Sequence, residues 1–289
     1  MSKAPRDVRR RLSPYGKDDI RYVQTLDEEI AMYDSVTVDQ IKSLYSELLS
    51  GSIGELSVVG DFDSDMIKNS INDILSDWTS KVGYVRIDRP ANPEPTGDLA
   101  MIQTPDKANA FFYSSMQMEL ADTDSAYEPL VLGNIILGGG VLSSRLADRV
   151  RQKDGLSYTV RSALSTRAKD SRCDLLIYAI ANPENKDKLI QAIKEEIDLL
   201  KKDGITEQEL EDAKKYYLGN KRVQRTTDKA LAGELLQTMF LDRTMEFAAD
   251  HADRIEAASV ESVNDAIRKY VDWDKLVKSI AGDFKAKQE

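Results

Sequence analysis

Two distant parts of the chain repeat each other, and this repeat limits which folds the sequence can adopt. The first copy is SVTVDQIKSLYSELL (35–49) followed by ELSVVGDFD (55–63), and the second is ASVESVNDAIRKYV (258–271) followed by LVKSIAGDFKA (276–286). The copies align without a gap at a constant separation of 222 residues. The coinciding pairs are Thr37/Ser259, Val38/Val260, Ile41/Val263, Val58/Ile280, Gly60/Gly282, Asp61/Asp283 and Phe62/Phe284. A period this long indicates duplicated domains, because the repeats of a solenoid are several-fold shorter.

Each copy is predicted to form an amphipathic helix, a short connection and an apolar strand that ends at Gly-Asp-Phe. Thr37 and Gln40 have the spacing of a capping box at the start of the first helix. Because the first copy begins close to the start of the sequence, we expect its domain to lack its upstream half and the chain to be part of a longer protein.

The segment RIDRPANPEPTGD (86–98) contains three prolines within six residues, which is typical of an extended linker. We therefore predict three parts: residues 1–85 are the C-terminal portion of a preceding domain, residues 86–98 are a linker, and residues 99–289 are a complete homologous domain. In this last part, strand-like runs are separated by groups of helices, and a final strand follows. This order predicts an α+β sandwich rather than a series of βαβ units.

The composition excludes several classes of protein. The net charge is −10, from 40 basic and 50 acidic side chains, and this argues against nucleic-acid and anionic-membrane partners, which favour a basic surface. No run of residues is long and apolar enough for a transmembrane helix, and the first residues lack the apolar core of a signal peptide. Cys173 is the one cysteine and lies in an apolar strand-like run, so we expect a buried, inert thiol.

Metal ligands are scarce in this sequence. His251 is the one histidine, and its surroundings, ADHADR, match neither H-E-x-x-H nor H-x-x-E-H. On a charged helix a single histidine is usually a solvated surface residue, and we interpret His251 in this way. No metal site is predicted in this chain.

The stretch LGGGVLSSRLADRVRQKDGLSYTV (137–160) has the most unusual composition. Gly138, Gly139 and Gly140 could belong to a phosphate-binding loop, but such a loop follows a strand, and the segment before these glycines is predicted to be helical. We interpret the three glycines as a helix end and tight corner, and Gly155 as the turn into the next strand. A nucleotide-binding module that uses Gly138–Gly140 stays a weak alternative.

Arg151 and Tyr158 lie on either side of the Gly155 turn, seven residues apart. A helix–turn–strand corner can bring both side chains to one cleft. Arg offers five hydrogen-bond donors and Tyr offers a phenolic donor, which suits them to hold the carbonyls of an extended peptide or a developing oxyanion. The alternative is a surface Arg in a salt bridge and a Tyr packed in the core beside Leu156 and Val160.

Three features together resemble the pitrilysin/insulinase family of zinc metallopeptidases. They are ILGGGVLSSRLADRVRQKDGLSYTV (136–160), GITEQELEDAKKYYLGNKR (204–222) and the repeated Gly-Asp-Phe strand ends. The segment 13–49 also resembles the closing part of the preceding domain in large bacterial members. The resemblance covers nearly the whole chain and implies a two-layer α/β sandwich of the pitrilysin/mitochondrial processing peptidase type.

In that family the N-terminal half carries an H-x-x-E-H zinc site, and the C-terminal half closes over it. The resemblance implies that Arg151 and Tyr158 match the R-x-x-x-x-x-x-Y arrangement with which the C-terminal half reaches the substrate, Tyr158 as the oxyanion donor. It implies no cofactor in this chain and zinc in the missing half. The implied partners are that zinc-binding half, on the same or a separate polypeptide, and peptide substrates.

The expected function is therefore the substrate-binding, chamber-forming half of a zinc metalloendopeptidase, inactive alone and active when joined to an H-x-x-E-H half. A non-catalytic structural or assembly subunit of the same fold is the alternative. The large bacterial relatives imply a periplasmic location, and a cytoplasmic one stays open.

Overall fold

The computed structural model describes residues 3–95, 97–105, 107–140 and 143–284. The chain divides into two compact units. Unit 1 comprises residues 1–23, 89–219 and 249–289, and unit 2 comprises residues 24–88 and 220–248. Among the described residues, no helix combines the length and apolarity that a membrane span requires.

Unit 1 is built on a five-stranded sheet with the strand order β1-β5-β2-β4-β3. The strands are β1 (Leu99–Gln103), β2 (Ala110–Glu119), β3 (Ser157–Arg167), β4 (Arg172–Ala181) and β5 (Val277–Gly282). β1 runs parallel to β5, and the other neighbours are antiparallel. The strands predicted from the sequence of this part are thereby confirmed, including the last strand of the second repeat copy.

One face of the sheet carries the core. In β4 every second side chain from Cys173 to Ala181 is buried, while the residues between them are partly exposed, as the two-residue period of a strand requires. The helices of this part of the chain are α5 (Tyr127–Asn134), α6 (Lys186–Asp203), α7 (Glu207–Gln224), α9 (Met245–Ala257) and α10 (Val260–Tyr270). The buried face packs against α5, α6, α10 and two π-helical segments, Ile135–Gly139 and Ala147–Lys153.

The other face of the sheet is covered in part by α1 (Lys3–Leu12), which contacts β2 and β5. Val8 and Leu12 of α1 form a small second core with Val277 and Tyr113. The sequence analysis did not find α1, because its Arg-rich sequence hides an apolar stripe of Ala4, Val8 and Leu12. The helix therefore belongs to the sheet unit, although it lies almost 90 residues before β1.

Unit 2 is helical. Its helices are α2 (Leu26–Ser35), α3 (Val38–Leu48), α4 (Ser64–Leu75) and α8 (Asp228–Phe240). The predicted capping box at the start of α3 is confirmed, with the Gln40 amide donating to the Thr37 hydroxyl and Gln40 Oε1 accepting from the Thr37 amide. None of the side chains in these four helices is buried.

The strand predicted at residues 55–60 is absent, and this expectation is wrong for the described chain. A strand needs neighbours for its backbone hydrogen bonds, and an isolated strand cannot form. The corresponding strand of the second copy, β5, lies between β1 and β2, whereas no other strand of the described chain pairs with residues 55–60.

The proline-rich segment 86–98 forms neither helix nor strand where it is described, and its residues from 89 onwards belong to unit 1. The Asn92 amide donates to the Gln117 side chain, and the Asn92 side chain donates to the Leu12 carbonyl. The predicted domain boundaries at residues 85 and 98 stay a prediction.

Candidate functional site

The corner that leads to Arg151 and Tyr158 begins where α5 ends. Residues Ile135–Gly139 continue α5 as a π-helical turn, and the Gly140 amide donates to the Ile135 carbonyl over 3.0 Å. A Cβ on Gly138 would lie 2.7 Å from the backbone nitrogen of Ser162, so only glycine lets this turn lie directly on β3. The three glycines therefore end a helix against a strand, and this geometry gives no support to a phosphate-binding loop.

A second π-helical segment, Ala147–Lys153, carries Arg151. It is fixed from three sides. Leu146 and Val150 are fully buried, the Arg145 guanidinium forms an ion pair with Glu209, and Arg149 pairs with both Asp154 and Glu195. π-Helical turns are rare and occur frequently at functional sites. The helical spacing of Leu142, Leu146 and Val150 predicts a helix here, and of these three Leu142 lies outside the described residues.

Gly155 turns the chain from the π-helical segment into β3 with φ +61°, a left-handed conformation that glycine adopts without strain. The register of β3 against β4 then shifts between Ser157 and Thr159, which leaves Tyr158 as the extra residue of a β-bulge. The Ser157 hydroxyl donates to the Ile180 carbonyl over 2.6 Å and holds the bulge in place. Because of the bulge, the Tyr158 side chain does not pack in the core, and it is 83% exposed.

Arg151 and Tyr158 meet at this corner. The guanidinium carbon of Arg151 lies 5.2 Å from the centre of the Tyr158 ring, a cation–π distance. No carboxylate among the described residues pairs with Arg151, in contrast to its neighbours Arg145 and Arg149. The geometry thus leaves an unpaired guanidinium beside an exposed phenol, with several donors directed at solvent. The catalytic and substrate-binding roles of these residues, and the turn roles of the four glycines, stay predictions.

The sheet face beside this corner is aromatic. Tyr113 of β2 lies opposite Tyr178 of β4, and the Phe111 ring stacks on both of them at 6.4 and 6.1 Å. Arg161 of β3 lies opposite Tyr178 on the same face. Burial raises the pKa of the Tyr113 phenol above its ordinary value. An extended polypeptide would find both apolar surface and donors here.

His251 is not the solvated residue that the sequence analysis expected. Its side chain is 13% exposed, its Nδ1 lies 2.7 Å from a carboxylate oxygen of Glu128, and its Nε2 lies 2.7 Å from the Tyr217 hydroxyl. Arg254 Nε donates to the same Glu128 oxygen over 2.7 Å. The reason is Glu128, which is 1% exposed and needs partners for its buried charge. The acidic residue within the apolar run YEPLVLG was the signal for this network.

The hydrogen bonds to Glu128 also set its charge state. Burial by itself raises the pKa of this carboxyl, but the hydrogen bonds from His251 and Arg254 outweigh it and hold the pKa below the ordinary value of 4.5. Glu128 is therefore ionised at neutral pH and joins α5 to α9.

These residues do not fit a zinc ion. Within the described ranges, no three His, Cys, Asp or Glu side chains lie close enough together to hold a metal, and His251 is already engaged by Glu128 and Tyr217. Cys173 is fully buried in β4, as expected, and burial raises the pKa of its thiol to about 12. The part of the chain that the structure describes therefore offers no cluster of side chains for a metal-dependent step.

The fold and this site define a class: a two-layer α/β domain of peptidase architecture in which the described residues offer no metal site. The family described as "Peptidase M16 inactive domain" matches residues 35–217. The chain belongs to this family, and the resemblance to the pitrilysin/insulinase peptidases and the predicted fold class are both confirmed.

Individual relatives agree with this assignment. A protein named "Non-peptidase homolog YmxG" from Helicobacter pylori is 23% identical over 254 residues, which are 86% of this chain and 56% of that protein. The crystal structure of a peptidase M16 inactive domain from Pseudomonas fluorescens matches with a TM-score of 0.73 at 22% identity. The match covers 99% of this chain and 66% of the P. fluorescens chain. The periplasmic protease PqqL from Escherichia coli has a TM-score of 0.58 at 18% identity, over 77% of this chain and 24% of its own. The chain thus spans about half the length of the H. pylori relative.

Proposed function

We propose that this chain is the substrate-binding, chamber-forming C-terminal half of a zinc metalloendopeptidase and works together with a half that carries an H-x-x-E-H motif. The observation that carries the proposal is the pairing of Arg151, on the π-helical segment, with Tyr158, on the exposed β-bulge. The Arg151 guanidinium carbon lies 5.2 Å from the centre of the Tyr158 ring, and Arg151 has no carboxylate partner among the described residues. A surface salt bridge and a core tyrosine, the alternative considered from the sequence, do not describe this geometry.

The work of this half is to bind and to orient. The Tyr158 phenol donates a hydrogen bond to the carbonyl oxygen that becomes negative when the peptide bond is attacked. The Arg151 guanidinium donates to a neighbouring backbone carbonyl and holds the peptide extended. The metal and the activation of water belong to the partner half, and this chain contributes neither.

The exposed apolar side chains of unit 2 support the existence of the half that carries the H-x-x-E-H motif. The α3 residues Ile41, Leu44 and Tyr45 are exposed, whereas their counterparts in α10, namely Val263, Ala266 and Ile267, are buried against the rest of the sheet domain. In β5, Ile280 pairs with Met101 in parallel and with Phe112 in antiparallel orientation. The corresponding residue of the first copy, Val58, would be flanked in the same way by two strands of the N-terminal half. The apolar face of α3 and residues 55–60 are thus the proposed docking surface for that half.

A non-catalytic structural or assembly subunit is the second candidate. The name of the H. pylori relative, a non-peptidase homolog, favours it. The exposed Arg151–Tyr158 pair favours the first candidate, because a purely structural subunit needs no unpaired donors at this corner. A periplasmic location is proposed from the resemblance and from the E. coli neighbour described as periplasmic.

The test is reconstitution. The chain is mixed with a purified H-x-x-E-H half encoded upstream or in a neighbouring gene, and cleavage of a quenched fluorescent peptide is measured. We expect cleavage only with both halves present. Tyr158→Phe should lower kcat by roughly ten- to a hundredfold, as for the loss of one oxyanion donor. The control Tyr84→Phe removes an exposed phenol of unit 2 and should leave kcat unchanged.

Two outcomes contradict the proposal. Unchanged kcat in Tyr158→Phe removes this residue from the mechanism. A complex that forms but cleaves no peptide favours the structural subunit. The double substitution Ile41→Asp with Leu44→Asp identifies the docking surface, since it should abolish association while the isolated chain keeps its helical circular dichroism.

A further inference from the structure

A cavity of about 370 Å³ opens on the sheet face opposite the main core. Its walls come from α1 and the loop after it, from the start of the segment that leads to β1, and from the outer faces of β2, β3 and β4. We call it the arginine cavity, because five arginines line it: Arg9, Arg21, Arg89, Arg167 and Arg172. All its lining residues belong to unit 1.

The positive charge of the arginine cavity is only partly neutralised. Asp174 is the one acidic residue among the described lining residues, and it forms an ion pair with Arg172 over 2.7 Å. Arg21 forms an ion pair with Asp19 over 2.7 Å, and hydrogen bonds from Arg21 lower the pKa of Asp19 to about 2. Arg172 and Arg21 are thus each paired with a carboxylate. Arg89 and Arg167 have no carboxylate partner in the described structure.

This excess is unusual for the chain, whose net charge is −10. An acidic protein that gathers arginines around one concave site concentrates its positive potential there, and low-dielectric walls strengthen the field. The hydroxyl groups of Ser115, Ser165 and Tyr113 line the same cavity and add uncharged donors. Arginine presents its donors in the fork geometry that matches a carboxylate with two hydrogen bonds.

We propose that the arginine cavity binds carboxylate groups of an acidic polypeptide segment, and that the chain thereby selects peptides with Asp or Glu side chains. That the carboxylates are carried by a polypeptide rests on the proposed function. A nucleic acid is disfavoured, because a long polyanion would be repelled by the remaining acidic surface, while a confined cavity admits only a few charges.

The position of the cavity indicates where the acidic residues lie in the peptide. Arg167, at the end of β3, lines the cavity, and Tyr158, at its beginning, is the proposed oxyanion donor. The two residues are nine positions apart along the strand, which is a distance of about 30 Å at roughly 3.3 Å per residue. A peptide that extends along β3 would place an acidic residue about nine positions from the bond to be cleaved.

The experiment measures binding and does not need cleavage. A fluorescein-labelled peptide with three glutamates and its counterpart with three glutamines are titrated with the 289-residue chain, and fluorescence anisotropy is recorded. We expect the glutamate peptide to bind about tenfold more tightly, and the preference to shrink in high salt because screening weakens charge pairs. The double variant Arg89→Gln with Arg167→Gln should remove the preference. Arg222→Gln, an exposed arginine of unit 2, is the matched control and should keep it.

The proposal is overturned if the two peptides bind equally, or if the double variant keeps the preference while its melting temperature is unchanged. It is overturned equally if an oligonucleotide or inorganic phosphate displaces the glutamate peptide more readily than the unlabelled glutamate peptide does. Loss of cleavage in the reconstituted enzyme with intact glutamate preference would count against the proposed function alone. Cleavage without any glutamate preference would count against the arginine cavity alone.

Discussion

The helix pair α2–α3 and the helix pair α9–α10 are two copies of one unit, and they differ in what covers them. α2 ends at Ser35 and α9 at Ala257, while α3 and α10 both span 11 residues and begin at Val38 and Val260. Every one of these bounds is shifted by the 222 residues that separate the sequence copies. The copies are therefore the same in local structure, down to a capping box on the second helix of each.

The two helix pairs differ in how far their side chains are buried. Ile255 of α9 and Ile267 of α10 lie in the main core, whereas the corresponding Tyr33 and Tyr45 are exposed. The strand that follows α10 is the second strand of a sheet, and its counterpart at residues 55–60 forms no strand. Helices close their hydrogen bonds within a few residues, while strands and cores need distant parts of the chain. The comparison shows that both copies form their helices, whereas the strand and the buried core form only where other strands and helices of the domain are present.

The largest expected effect tests burial. Ile267→Ala removes a side chain that is 1% exposed and should lower the free energy of unfolding of unit 1 by about 2–5 kcal/mol. Ile41→Ala makes the same chemical change on the first copy, where the side chain is 57% exposed, and should cost less than about 1 kcal/mol. Urea titrations followed by tryptophan fluorescence separate the units, because Trp273 lies in unit 1 and Trp78 in unit 2. Equal losses in both variants would remove the distinction between a covered and an uncovered copy.

The second prediction concerns the network that ties α9 to the sheet domain. Glu128→Gln keeps the size of the side chain but removes the charge that accepts from His251 and Arg254. We expect a loss of about 1.5–3 kcal/mol at pH 7, as for charge-assisted hydrogen bonds. Glu256→Gln replaces an exposed acid of α9, is the control and should change stability by less than about 0.5 kcal/mol.

The pH dependence of the same variant has a definite sign. The pKa of Glu128 is lower in the folded protein than its ordinary value of 4.5, so its ionised form stabilises the fold above that pH. This contribution is lost as the pH falls from about 4.5 through the folded pKa. The stabilities of the original chain and of Glu128→Gln should therefore converge in acid. A difference that stays constant from pH 7 to pH 3 would show that the carboxylate charge is not what joins α9 to α5.

The same comparison explains how much the sequence could predict. The helices, the Thr37 cap and the strands of residues 99–289 follow from periodicity and capping, which are local. The Gly155 turn was also readable, but the bulge that exposes Tyr158 was not, because it arises from the register between β3 and β4. The arginine cavity brings together α1, β2, β3 and β4, whose sequence positions show no common pattern. The role of His251 was missed because its partner Glu128 lies 123 residues away.

The smallest expected effect tests the local side of the comparison. Thr37→Ala and Ser259→Ala each remove an N-cap hydroxyl that accepts a hydrogen bond from a backbone amide. The donor is the Gln40 amide in the first copy and the Ser262 amide in the second. Each loss should cost about 1 kcal/mol, because capping depends on the first turn of the helix and not on what covers its side. Thr37→Ser and Ser259→Thr keep the hydroxyl and serve as controls, and the loss is measured on each unit with the tryptophan that reports it. If Ser259→Ala lowered stability and Thr37→Ala did not, the capping box would not be what stabilises the start of α3.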